Sequence, residues 1–272
     1  MATLMECDNL EGNAKTDNAL EDFLGLVKTS RESALLLDFD GTLAPFRIDP
    51  SRVRPWAGVP ALLEEIHELD RTHIGIVTGR PAKEVASQIG LPFLQIWGLH
   101  GAERLFPDGR VELDELLPHE HDALAAVRKA IRLAALGPGV RVEEKWNAVV
   151  VHWRGKSAHA SEALLKRTLK LLQPFADEAA MHLLQFDGGI ELRAGRNKGD
   201  AVRLLLNEMS SDAPVAYLGD DTTDEDAFRA LAGRGLTVLV RRTWRPSAAT
   251  LWLRPPGELR AFLANWAKAL RG

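Results

Sequence analysis

Residues 34–42 read Ala-Leu-Leu-Leu-Asp-Phe-Asp-Gly-Thr, and the change of texture inside this stretch decides the fold. Four apolar residues in a row, Ala34-Leu35-Leu36-Leu37, suit a strand buried on both faces, as in a parallel sheet sandwiched between helices. The run stops at Asp38, and Gly41 supplies a turn. Carboxylates at 38 and 40 then fall in the crevice beyond the strand ends, where open α/β sheets bind their ligands. Such a pair suits a cation and a nucleophile. An Asx turn followed by a helix-capping Thr42 is the plainer alternative for so short a string.

The flanking sequence extends the α/β reading. Val59, Leu62, Leu63, Ile66 and Leu69 recur at helical spacing. A second apolar run, Ile74 to Val77, leads into Thr78-Gly79-Arg80, with Pro81 suited to the first turn of a helix, and a third strand is expected near residues 94–97. Between residues 105 and 188 the texture differs: a Pro-Asp-Gly turn, an Ala-rich helix from His121 to Leu136 and a Gly-Pro-Gly break. Val140 to Glu144 and Ala148 to Arg154 then read as a hairpin around Lys145-Trp146-Asn147. The α/β pattern resumes with a helix from Lys198 to Met209, a strand at Val215 to Leu218, a helix near Asp224 to Leu231 and a strand at Leu236 to Val240. The expected organisation is a loose tail and short helix over 1–30, a parallel-sheet core over 31–104 and 189–272, and an inserted α/β domain over 105–188.

Bulk properties narrow the function. With 272 residues and a net charge of −4, the chain scatters its Arg and Lys among acids, leaving no basic stripe for nucleic acid or a membrane surface. Cys7 has no second cysteine to pair with, the amino end lacks a leader pattern, and no apolar run approaches the roughly 20 residues of a membrane span. These features predict a cytoplasmic protein acting on a small molecule. Oligomeric state is not readable.

Three further strings carry chemistry. Thr78-Gly79 offers a hydroxyl and a backbone N–H to a phosphate oxygen, although Thr78 also suits a helix cap. Five acids between Asp220 and Asp226, next to a buried strand, repel one another unless a cation or water relieves them. Lys198, at the start of a helix, can send its ammonium into the same crevice. Two other strings are set aside: Gly155-Lys156-Ser157 lacks the leading Gly of a phosphate loop, since Val150 stands there, and His119-Glu120-His121 has no third ligand nearby.

Taken in order, Asp38-Phe39-Asp40-Gly41-Thr42, Thr78, Lys198 and Asp220-Asp221 resemble the motifs of haloacid dehalogenase-like (HAD) phosphatases. Within them the chain is most similar to the trehalose-6-phosphate phosphatase family over residues 33–264. The shared strings are DFDGTLAP (Asp38 to Pro45), GLHGAE (Gly98 to Glu103), EEKWNAVVVHWR (Glu143 to Arg154), GIELR (Gly189 to Arg193) and GDDTTDEDAF (Gly219 to Phe228). The resemblance implies a Rossmann-like core with an inserted cap and Mg²⁺-dependent hydrolysis of trehalose 6-phosphate through a phosphoaspartate, a step of trehalose biosynthesis. It implies Asp38 as nucleophile, Asp40 as general acid and then base, and Thr78 and Lys198 as phosphoryl holders. Asp38, the Asp40 carbonyl and Asp220 would bind the metal, with Asp221 and Asp224 behind them.

For substrate it implies Thr42, Gly79, Arg80, His100 and Glu103 from the core, Glu143, Lys145, Asn147, His152 and Arg154 from the cap hairpin, and Glu191 from the core junction. Glu143 with Lys145, and His152 with Arg154, would each share a strand face. Asn197 and Trp153 depart from residues common in the family. The rivals are a phosphatase of the same core acting on sucrose phosphate or a glycosyl phosphoglycerate, a phosphosugar mutase, and a phosphosugar-binding module without catalysis.

Overall fold

The computed structural model describes residues 18–47, 49–178, 181–186 and 188–272, so the tail expected over residues 1–17 lies outside it, Cys7 included. In chain order the elements begin with helix α1 (18–29), then β1 (Ser33–Leu37), α2 (Val59–Glu68), β2 (Thr72–Val77), α3 (Ala82–Ile89), β3 (Gln95–Gly98), β4 (Glu103–Leu105) and β5 (Val111–Leu113). Next come α4 (Pro118–Ala134), β6 (Arg141–Glu144), β7 (Ala148–His152), α5 (Ala158–Glu178), β8 (His182–Phe186) and β9 (Gly189–Arg193). The last part holds α6 (Lys198–Glu208), β10 (Val215–Gly219), α7 (Glu225–Leu231), β11 (Leu236–Val240), β12 (Leu251–Leu253) and α8 (Gly257–Arg271). Among the described residues no helix is long and apolar enough to cross a membrane.

The described residues form two compact units, one ending at Leu113 and resuming over Arg196–Gly272, the other over Asp114–Gly195. The first contains an eight-stranded sheet in the order β12-β11-β10-β1-β2-β3-β4-β5, parallel from β12 to β3. Alternation along its strands feeds two cores. Leu35, Leu37, Ile74, Ile76 and Leu218 pack against Val59, Leu63 and Ile66 of α2 and Phe262, Leu263 and Trp266 of α8. Ala34, Leu36, Val77, Val215 and Tyr217 instead meet Ala201, Val202 and Leu205 of α6 and Ala227, Phe228 and Leu231 of α7. Each fully buried Leu or Phe contributes about 1.5–3 kcal/mol. The double covering explains why β1 is a continuous apolar run, and it leaves the strand ends as the exit for polar side chains.

The second unit is a four-stranded antiparallel sheet, β6-β7-β9-β8, covered on one face by α4 and α5. Val149, Val151, Ile190 and Leu192 point to the helices. The opposite face carries Arg141, Glu143, His152 and Glu191, as the register of Arg141 with His152 and of Val150 with both Glu143 and Glu191 requires.

Both expected boundaries shift. The Pro107-Asp108-Gly109 turn is not the entry to the insertion: it joins β4 to β5, which extend the large sheet antiparallel to β3, so the core continues to residue 113. At the other end β9 is hydrogen-bonded between β7 and β8, so the insertion runs to Gly195 and Glu191 belongs to it, not to a core junction. The hairpin alternation also stops early. β7 ends at His152, which puts Arg154 in the following turn, beyond the strand face assigned to it with His152.

Candidate active site

The ends of β1 and β10 lie side by side in the sheet, with Leu37 in register with Leu218, and each hands over directly to an aspartate. Asp38 and Asp220 are both 4% exposed. Lys198, the first residue of α6, extends its Nζ to Asp38 Oδ1 at 2.7 Å and to Asp224 Oδ1 at 2.8 Å. Asn197 caps that helix through the Asp200 amide, which fixes where Lys198 starts. Gly41 is required by this packing: its φ of 87° is left-handed, and a Cβ there would lie 2.2 Å from Asp220 Oδ2.

Asp224 has no capacity left. Its Oδ1 accepts from Lys198 and from the buried Tyr217 hydroxyl at 2.6 Å, while its Oδ2 accepts the amides of Asp220 at 3.0 Å and Asp221 at 2.9 Å. Asp38 Oδ2, by contrast, is buried with no hydrogen-bond partner. Among the described residues nothing donates to the Asp220 carboxylate either. Asp38, Asp220 and Asp224 each bring one oxygen within 4.8 Å of the others.

Three carboxylates here face one ammonium. Burial, against the pull of Lys198 and helped by the charges of Asp224 and Asp40, pushes the Asp38 carboxyl up to about 7. Burial, then the charges of Asp38 and Asp224, pushes Asp220 up to about 9. Desolvation alone would lower the Lys198 ammonium, but its two carboxylate partners outweigh it and raise it. Two uncompensated negative charges, an orphaned carboxylate oxygen and an all-oxygen donor set fit a hard divalent cation, held by Asp38 Oδ2 and Asp220. Asp224, each of whose oxygens already accepts two hydrogen bonds, braces that group.

The remaining core residues divide. Thr78, at the end of β2 and 1% exposed, accepts the Arg80 amide on its Oγ1 at 3.2 Å, leaving its hydroxyl proton to give. Arg80 grips Asp40 in a fork, Nε to Oδ2 at 2.5 Å and Nη2 to Oδ1 at 2.7 Å, and its Nη1 reaches Glu84 at 2.6 Å and the Pro50 carbonyl at 2.9 Å. That guanidinium, expected to contact substrate, is committed to Asp40. Glu103, expected in the same role, instead accepts the Ala82 amide at 2.6 Å and so satisfies the start of α3. Thr42 is fully buried, with its backbone carbonyl bonded to the Trp56 indole at 3.2 Å and its hydroxyl without a hydrogen-bond partner.

His100 and Gly79 form one structure. Leu99 and His100 adopt φ of 50° and 61°, a conformation that non-glycine residues avoid, and their amides bond the Arg80 carbonyl at 2.9 Å and the Thr78 carbonyl at 2.8 Å. The imidazole lies on Gly79, where a Cβ would come 2.6 Å from His100 Nε2. His100 therefore shapes the Thr78-Gly79-Arg80 loop from within. Asp221 accepts the Thr222 amide at 2.7 Å and caps the turn leading to α7.

The second unit gathers its own polar group on the open sheet face. His152 Nε2 lies 3.0 Å from Glu143 Oε2, Arg141 is 3.2 Å from the same carboxylate, and Lys145 Nζ is 3.5 Å from Glu191 Oε1. Desolvation would raise Glu143, but the His152 hydrogen bond and the Lys145 charge hold it below the usual carboxylate range. Burial, with the charges of Arg141 and Lys145, lowers His152. Asn147 does not join them: it is 1% exposed and tied to Ala194 by its side chain at 3.4 Å and its carbonyl at 2.8 Å. Of the strings set aside, Glu120 binds the Leu117 and Gly195 amides at 2.8 and 3.1 Å, and Lys156 the Pro138 carbonyl at 2.6 Å, so both are structural. Sequence reading missed Arg141, which period-two alternation from Glu143 could have found, and Tyr217, which is hidden inside an apolar strand.

A doubly wound core with an Asp–Lys–Asp group at its strand ends and an inserted α/β unit is the architecture of HAD-fold phosphatases. The Candida albicans trehalose-6-phosphate phosphatase C-terminal domain superposes with a TM-score of 0.76 at 22% identity, covering 92% of this chain and 96% of that one. A solved trehalose-6-phosphate phosphatase related protein matches with a TM-score of 0.63 at 28% identity, over 85% of this chain and 96% of that one. The trehalose-phosphatase family model matches residues 36–253, and a trehalose-phosphate phosphatase of Mycobacterium tuberculosis is 34% identical over 91% of this chain. The chain belongs to the trehalose-phosphatase family. It spans 64% of the length of that mycobacterial relative.

Proposed function

We propose that the chain hydrolyses trehalose 6-phosphate to trehalose and inorganic phosphate through a phosphoaspartate on Asp38, with Mg²⁺ as cofactor. One observation carries the reading: Asp38 has one oxygen held by Lys198 and the other buried without a partner beside Asp220. The Asp38 carboxylate attacks phosphorus as the bond to the sugar oxygen breaks, and Asp40 gives that oxygen its proton. Asp40 then takes a proton from water, whose oxygen attacks the phosphorus and releases phosphate, restoring Asp38. The Lys198 ammonium and the Thr78 hydroxyl hold the phosphoryl oxygens. Asp38 Oδ2, Asp220 and the Asp40 carbonyl would hold the cation, which would supply the charge that lets a carboxylate approach a phosphate.

The Arg80 fork occupies both Asp40 oxygens, so one of them must leave it to carry the proton given to the sugar oxygen; Arg80 thus has a positioning role in place of the substrate contact expected from sequence. Recognition of the sugar is assigned to Glu143, Lys145, His152, Arg154 and Glu191, with Arg141 added to that set and Asn147 removed from it. The family match and the mycobacterial relative's name support the choice of substrate. The test is phosphate release with Mg²⁺ from trehalose 6-phosphate, sucrose 6-phosphate and a glucosyl phosphoglycerate. Trehalose 6-phosphate should give the highest kcat/KM. Preference for another ester would overturn the substrate, and no release from any would favour a binding module.

A further inference from the structure

Tyr217 is a fully buried residue of β10 whose ring meets Phe228 edge-on, with centroids 5.7 Å apart at 81°. Its hydroxyl ends on Asp224 Oδ1, the same oxygen that accepts Lys198 Nζ, and Lys198 in turn holds Asp38 Oδ1. The three bonds form one chain from the α6–α7 side of the sheet to the attacking carboxylate. We propose that Tyr217 is a positioning residue for phosphoryl transfer: by sharing Asp224 Oδ1 it limits that carboxylate's hold on Lys198, so that the ammonium stays on Asp38 and the incoming phosphoryl group. The inference rests on the function proposed above, and it assigns a role to a residue outside the motif strings.

Tyr217 and Lys198 compete for one oxygen of Asp224. The second oxygen of Asp224 is fixed by the Asp220 and Asp221 amides, so Asp224 cannot turn to relieve its first. Without the hydroxyl, Oδ1 faces Lys198 alone in a buried setting, where an unshared carboxylate draws an ammonium strongly. Lys198 then leans toward Asp224 and away from the nucleophile. A buried tyrosine also needs a partner simply to satisfy its hydroxyl, and that ordinary role predicts loss of stability with unchanged catalysis.

Tyr217→Phe keeps the ring and its packing on Phe228 and removes one oxygen. The expected result is a kcat on trehalose 6-phosphate lowered about 10-fold, the scale of one hydrogen bond to a charged group. Inorganic phosphate, titrated calorimetrically with Mg²⁺ present, should bind several-fold more weakly. Half-saturating Mg²⁺ should stay within about 2-fold, because Asp220 and Asp38 Oδ2 are untouched. Asp224→Asn should lose more because it also loosens the Asp220 and Asp221 amides, and Tyr217→Phe added to it should cost no further loss, since the pull that Tyr217 limits is then already gone. Rates are compared at a temperature where every variant is folded. Wild-type kcat and phosphate affinity in Tyr217→Phe would overturn the proposal, as would losses that multiply in the double variant. A wild-type chain that hydrolyses no ester would defeat the function instead, and the phosphate titration would still decide the role of Tyr217.

Discussion

In the core unit the side chains of Asp38 and Lys198 are 5% and 4% exposed, whereas on the four-stranded sheet Glu143, Lys145 and His152 keep 38%, 27% and 25% of theirs. Both groups pair opposite charges, yet the pairs do different things. Breaking a buried pair strands a charge and costs about 3–5 kcal/mol, so the core group is locked into one arrangement and organised before any substrate arrives. Half-exposed pairs are worth about 0–1 kcal/mol each. The sheet face can therefore exchange an internal ion pair for a sugar hydroxyl at little cost, and it can be resculpted without endangering the fold. In the proposed function, chemistry falls to the first setting and selectivity to the second.

The sharpest way to break this division is Asp38→Asn, which should abolish phosphate release while the chain still folds, as read by circular dichroism. Measurable turnover would remove the covalent mechanism. Chelation comes next: exhaustive removal of divalent ions should stop phosphate release, and Mg²⁺ should restore it.

Stability gives that metal prediction a sign. In the metal-free chain the carboxyls of Asp38 and Asp220 are raised to about 7 and about 9 from an ordinary 3.8. Raised acids favour the folded state fully below their unfolded value, and the contribution is lost as pH climbs through the folded values. The rise in melting temperature on adding Mg²⁺ should thus be larger at pH 8 than at pH 6, which calorimetry can check. An equal rise at both would place the ion elsewhere.

Asp40→Asn should slow turnover about 100-fold, the scale of a lost general acid. Glu143→Ala should then lower kcat/KM on trehalose 6-phosphate by roughly 10- to 100-fold and leave an aryl phosphate within about 2-fold, because remote contacts help only the substrate that makes them. Equal losses on both would erase the distinction between the two regions. The smallest kinetic effect belongs to Asn147→Ala, which should cost about 1–3 kcal/mol of stability in urea unfolding and leave kcat/KM nearly unchanged. The reverse pattern would return Asn147 to the sugar.

The placement of the core group was legible because Asp38, Thr78 and Asp220 each sit where an apolar run ends, after β1, β2 and β10, and Lys198 where a helix begins. Strand termini are visible in a sequence, and a parallel sheet brings them together. What could not be read is which way a loop residue turns. Arg80, Glu103 and Asn147 are polar residues of the motif strings, and the side chain of each is spent inside the protein on a carboxylate, a helix start or a strand end. Strand order was equally hidden. β9 follows β8 in sequence but lies between β7 and β8, a pairing set by 40-residue contacts that no local pattern announces. Helix α5 escaped too, carrying Pro174 within its length.

The antiparallel end of the large sheet has a consequence for handling the protein. β5 is an edge of only three residues, Val111–Leu113, and the opposite edge β12 is equally short. Brief edges offer few free N–H and C=O groups to a second chain, and the charged Glu112 in the middle of β5 discourages what pairing remains. Lengthening that ribbon with β-branched residues, or replacing Glu112 with valine, would turn a blunt rim into an adhesive one, and concentrated stocks would precipitate long before either polar cluster was disturbed.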